Sequence, residues 1–231
     1  NQFGNAVALD SSRAIVGIQL DDQQGVDAGA AQIYERNSAG QWVATKHLIA
    51  NDASAGDQFG HAVAIRNNWA LVAAHLRNQN GVKTGAVYVY ERNTGGSNNW
   101  GLVTTLTPSG QGANVNFGFS LAFDGRFAAV GSNFDSQQGT NAGAAYIFDA
   151  NNAWAQVANL TALNGMTNDE FGHAVAIANQ EFALVGAPGN DSIGLNAGAA
   201  YLFRRNATTG AWAQVKKLSA ANTAAGDQFG F

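Results

Sequence analysis

The chain has 231 residues, enough for one large all-β domain or two small ones. Its formal net charge is −4 and it holds no Lys/Arg run, which argues against nucleic acid as a partner. The absence of cysteine excludes thiol catalysis, a disulfide scaffold and a cysteine-ligated zinc, and no apolar run is long enough for a membrane-spanning helix, so membrane insertion is not expected.

In chain order the predicted elements are all short strands. An FGxAVAx run opens at Phe3 and is followed by apolar segments at 14–18, 30–34 and 42–49. The same four return at 59–65, 70–74, 86–90 and 100–107, again from Phe117 with 128–132, 144–148 and 154–162, and again from Phe171 with 183–187, 199–203 and 212–220. Val, Ile, Phe, Tyr and Trp dominate these segments, and Gly, Asn, Asp and Ser fill the gaps between them. No stretch carries a helical period.

Three markers keep one phase. Phe-Gly occurs at Phe3, Phe59, Phe117, Phe171 and Phe229, in steps of 56, 58, 54 and 58 residues. Gly-Ala precedes an aromatic strand at Gly29, Gly85, Gly143 and Gly198, and one tryptophan marks each unit at Trp42, Trp100, Trp154 and Trp212. The repeats are therefore 3–58, 59–116, 117–170 and 171–228, with 229–231 opening a fifth or closing a ring. Four antiparallel strands per repeat predict a β-propeller of four-stranded blades within a single domain, either four-bladed or part of a larger propeller. The phenylalanines are expected to anchor each blade, and the tryptophans to seal the outer strand.

These motifs resemble the FG-GAP repeats of the integrin α-subunit propeller and their bacterial relatives. Phe171-Gly172, Gly186-Ala187-Pro188 and Gly198-Ala199-Ala200-Tyr201-Leu202-Phe203 spell the elements in full. The resemblance implies a bacterial protein acting outside the cell or on its surface, with ligand engaged by one face of the propeller. It departs from integrin-type members at the turn between the first two strands. Those turns, 10–13, 66–69, 124–127 and 178–182, are too short for the DxDxDGxxD calcium loop, so no cofactor is expected. A calcium ion would need about 6–8 oxygen ligands, and Asp21, Asp135 and Asp191 are only thin candidates for supplying them.

Strand alternation puts the connections between second and third strands, 19–28, 75–84, 133–142 and 188–197, on one face with the inter-repeat linkers. These loops are equal in length and vary in content, as a binding face does. Asp21, Asp22, His75, Arg77, Lys83, Phe134, Asp135, Asn190 and Asp191 are the candidate ligand contacts, although Asn and Asp in loops more often build turns. Asp57, Asp169 and Asp227 are expected to bond the linker backbone. His61 and His173 share one repeat position where others hold Asn5 and Phe119, which suits packing better than catalysis, and no catalytic motif stands out. The expected function is non-catalytic recognition or adhesion, binding a protein or glycan. The alternatives are a lectin with one sugar site per blade, and a structural subunit that self-associates through its terminal segments.

Overall fold

The computed structural model describes every residue except Asn80, Gln111, Ala113 and Thr223. The described residues form two compact units, Asn1–Thr107 and Pro108–Phe231. Each unit contains two four-stranded antiparallel sheets of simple up-and-down order.

In the first unit, β1 (Phe3–Asp10), β2 (Arg13–Ile18), β3 (Ala30–Arg36) and β4 (Trp42–Leu48) make one sheet. The second sheet starts with β5 (Phe59–Arg66) and β6 (Trp69–Ala74). A two-rung hairpin, β7 (Asn78–Gln79) and β8 (Val82–Lys83), then rises from the loop before the sheet resumes with β9 (Ala86–Glu91) and β10 (Gly101–Leu106). In the second unit, β11 (Ser120–Phe123), β12 (Phe127–Ser132), β13 (Ala144–Asp149) and β14 (Ala155–Leu160) form the first sheet. The other comprises β15 (Val175–Ala178), β16 (Phe182–Ala187), β17 (Ala199–Arg205) and β18 (Trp212–Leu218). A single 3-10 turn, Ala150–Asn152, is the one helical element among the described residues.

Burial follows strand position. Every residue of β12 and β13 is buried, whereas the outer strand β14 alternates between exposed and covered. A strand covered on both faces reads as a continuous apolar run, and an outer strand reads as an alternation. The third-to-fourth strand pairing shifts register at one repeat position in all four sheets: Ile33/Tyr34, Leu102/Thr104, Ile147/Phe148 and Leu202/Phe203. A bulge there bends the outer strand and increases its twist.

Successive sheets within a unit are joined backbone to backbone. Phe59 forms a parallel bridge with Gly29, Phe171 with Gly143, and Phe229 with Gly198. The Phe59 ring then packs edge-on against Tyr88 at 5.3 Å, and Phe171 lies 5.5 Å from Tyr201. Phe59, Phe117 and Phe171 are fully buried, Phe229 is half-buried, and Phe3 is mostly exposed.

Some predicted boundaries move. Phe117 and Phe171 are bridge residues ahead of β11 and β15 rather than members of those strands. Trp100 and Trp154 precede β10 and β14 in left-handed backbone, at φ 52° and 61°, while Trp42 and Trp212 begin their strands. Trp100 and Trp154 are buried, but Trp42 is exposed.

Candidate functional site

Each second-to-third-strand loop is a built object. Its third residue caps a turn and closes the loop's base: the N–H groups of Gly29, Gly143 and Gly198 donate to the carbonyls of Asp21, Asp135 and Asn190. The side chain of that same residue accepts a backbone N–H two residues on, from Gln23 to Asp21 (3.0 Å), Gln137 to Asp135 (3.0 Å) and Ser192 to Asn190 (3.2 Å). Such Asx turns are the local chemistry that selects Asp and Asn in turns. The next residue ties down the far side. Asp22 accepts from Asp27 N–H at 2.8 Å, Ser136 from Asn141 at 3.1 Å and Asp191 from Asn196 at 2.7 Å.

These loops are also tied to the sheet beneath. Tyr146 donates its hydroxyl to Asp135 at 2.6 Å, and burial together with that bond raises the Tyr146 pKa far above its ordinary value. Asn190 donates to Tyr201, whose pKa is pushed up to about 12 by burial and then by Asp169. The second repeat solves the same problem differently. Arg77 replaces the acid, and Asp52 from the linker accepts both the Arg77 guanidinium (3.1 Å at Nε) and the Tyr88 hydroxyl (2.6 Å). Burial works against the Asp52 carboxylate, but the Tyr88 and Arg77 hydrogen bonds outweigh it and hold its pKa below the usual range.

The linkers interlock with the loops. Within the first unit, Gly56 and Gln58 donate to the Val26 and Asp27 carbonyls, and Asp57 accepts from Ser54 (2.9 Å) and from Asn78 (3.1 Å). Within the second, Asn168 and Glu170 donate to Thr140 and Asn141, while Asp169 accepts from Met166 (3.0 Å) and Asn190 (2.9 Å). Asp227 repeats the pattern with Ala224 at 2.7 Å. The linker 161–170 is thereby pinned to the loops on both sides of it.

Most sequence-predicted contacts therefore serve the scaffold. Asp21, Asp135 and Asn190 are buried turn caps, Asp22 and Asp191 close their loops, and Arg77 is paired with Asp52. His75 is buried against His61, ring centroids 3.8 Å apart, and its pKa falls to about 3, chiefly through burial and then the charges of His61 and Lys83. Lys83 is exposed on β8, and Phe134 is exposed beside the base of its loop. Among the described residues no group of three or more His, Asp or Glu side chains is placed to hold a metal ion.

Sequence reasoning missed the apolar tips beside these loops. Leu163 and Met166 in the linker, and Ile193 and Leu195 in the last loop, are each more than half exposed. With Phe134 they give the second unit an apolar-tipped face on a hydrogen-bonded base. The signal was present as large apolar residues inside Gly- and Asn-rich segments. Among the described residues, the first unit has Val26 and Val82 exposed in the corresponding loops. A Trp100 sugar platform is ruled out by its full burial.

Comparison with known proteins bears on the fold and the repeats. The FG-GAP repeat family pattern matches residues 1–34, 42–90, 100–148 and 154–203, more than half of the chain. A crystal structure described as that of a functionally unknown protein from Desulfotomaculum acetoxidans DSM 771 is similar over 94% of this chain, at 15% identity and a TM-score of 0.54. This chain spans 56% of the length of that one, and at such identity the likeness is one of fold. No curated protein matches the chain.

Proposed function

The chain belongs to the FG-GAP repeat family, and we propose that it is a non-catalytic recognition module acting outside the cell or on its surface, which binds a protein through its loop face. The observation that carries this reading is the exposure of Phe134, Leu163, Met166, Ile193 and Leu195 on loops whose polar groups are already engaged internally. Exposed apolar side chains on hydrogen-bonded loops lower the backbone cost of ordering on binding and release water when covered, about 25 cal/mol per Å². Acid–base or metal chemistry would need free, perturbed groups at this face, and the acids there are turn caps. No helix among the described residues is long and apolar enough to cross a membrane.

The test is capture on arrays of extracellular proteins and of glycans, with the native chain and an I193S/L195S variant of equal thermal stability. Selective capture by proteins, weakened about tenfold or more in the variant, is the expected result. Capture unaffected by the variant, or confined to glycans, overturns the reading.

A further inference from the structure

Two equivalent nodes at the opposite end of the strands are closed differently: Glu35 has Arg13 opposite it in the register and paired with it at 3.8 Å, where the second unit has Asp149 opposite Phe127. In the first unit Glu35, at the end of β3, receives Arg92 bidentately at 3.1 and 2.8 Å and the Trp100 indole N–H at 3.3 Å. Both donors come from the neighbouring sheet. In the second unit the corresponding residues are Asp149, Arg205 and Trp212, by their places in the strand register.

There the node is not completed. Asp149 is shorter and is held by Arg126 of its own sheet at 3.1 and 2.9 Å. Arg205 lies over the Phe127 ring, 5.1 Å from its centroid, and its guanidinium has no ion pair among the described residues. The Trp212 ring meets the same Phe127 edge-on at 5.7 Å, and its indole N–H is buried without a hydrogen-bond partner. Such a donor is destabilising unless an acceptor reaches it. Arg205 lines both a cavity of about 400 Å³ and one of about 290 Å³, the second shared with Phe127 and Asp149. Of the charges nearby, Arg204 is paired with Glu181 and Arg126 with Asp149, whose carboxyl also feels the Arg205 charge without an ion pair to it.

We propose that Arg205 and Trp212 form a carboxylate-binding site that takes a glutamate side chain from a protein partner, in the position that Glu35 occupies in the first unit. A glutamate is the occupant that the molecule itself shows between Arg92 and the Trp100 indole N–H, the residues to which Arg205 and Trp212 correspond. The planar guanidinium gives a carboxylate two parallel donors, and the indole adds a third. This site lies at the turn end of the strands and is independent of the loop face.

The test follows indole N–H resonances of the full chain, which has five tryptophans, with the Trp212 signal assigned by its loss in W212F. The probe is acetyl-Gly-Glu-Gly-amide, and its Gln counterpart and glucuronate are the comparisons. Saturable movement of the Trp212 signal by the Glu peptide alone is expected, with apparent affinity about tenfold or more weaker in R205Q. In D149E the longer acid reproduces Glu35, so the signal moves without peptide and stops responding. A Trp212 signal that stays still, or that moves equally with the Gln peptide, overturns the site. Stronger movement by glucuronate than by the Glu peptide overturns the protein partner in favour of an acidic sugar.

Discussion

His75 shows how a single side chain in a repeat can carry a condition on stability. Gln19, Asn133 and Pro188 occupy its position in the other repeats, so an imidazole is not a requirement of the fold. Its folded pKa of about 3 lies below the value of about 6.5 expected of an unfolded histidine. The unfolded chain therefore binds a proton that the folded chain refuses. The contribution of neutral His75 is complete above about pH 6.5 and is lost as pH falls toward 3, at no more than about 1.4 kcal/mol per pH unit. Chemical denaturation of the native chain at a series of pH values should show stability falling through that window, and H75Q should flatten the fall. Equal slopes in the two proteins would show that His75 is not the group responsible. The Arg77–Asp52–Tyr88 cluster and the Asp149 for Glu35 exchange are of the same kind. The sequence marks Arg77 as a break in pattern, but only the coordinates show that Asp52 arrives from the linker to complete it.

At the level of the element, the motif glycines are explained by proximity more than by turning. The parallel bridge between sheets brings Phe171 so near Gly143 that an added Cβ would lie 2.0 Å from the Phe171 carbonyl oxygen, and Gly143 also sits at φ +84°. Gly226 has nearly the same backbone, φ +85°, with nothing within 4 Å. The pair separates the two costs. G226A should lose about 1 kcal/mol from backbone conformation alone, whereas G143A should lose about 3 kcal/mol or more, because a backbone carbonyl cannot step aside as a side chain can. Equal midpoints in denaturation would mean that the bridge relaxes freely. This also explains what was legible. Strand number, order and phase could be read because Phe-Gly, Gly-Ala and the aromatic strand recur at fixed spacing, each copy reinforcing the others. The hairpin β7–β8, the exposed Trp42 and the apolar tips of the linkers were not legible as such, because each is a feature of one repeat and no period announces it. For the loop acids Asp21, Asp22, Asp135 and Asp191 the sequence carries both a turn-building and a ligand-contact reading, because composition cannot distinguish an acid aimed outward from one that caps a turn.

For the whole molecule, a chain of like repeats should be stable in proportion to what each sheet has against its faces, more than to its own hydrogen bonds. The first unit holds a controlled comparison. β1 and β5 carry nearly the same sequence, FGNAVALD and FGHAVAIR, and each pairs with only one strand, in the same register with the same irregularity. Their side chains differ in cover: Phe3, Val7 and Leu9 are 59%, 70% and 67% exposed, against 0%, 7% and 5% for Phe59, Val63 and Ile65. Burying one such side chain is worth about 1.5–3 kcal/mol, and β5 adds the Phe59 N–H bond to Ala28 beyond the ladder the two strands share, so local opening of β1 should be easier by several kcal/mol. In hydrogen exchange followed by mass spectrometry, peptides covering 3–10 should exchange at least about a hundredfold faster than those covering 59–66. Should the two strands be equally protected, the face of β1 would have to be covered in solution. The apolar Phe3, Val7 and Leu9 would then be an interface with another sheet rather than an open surface.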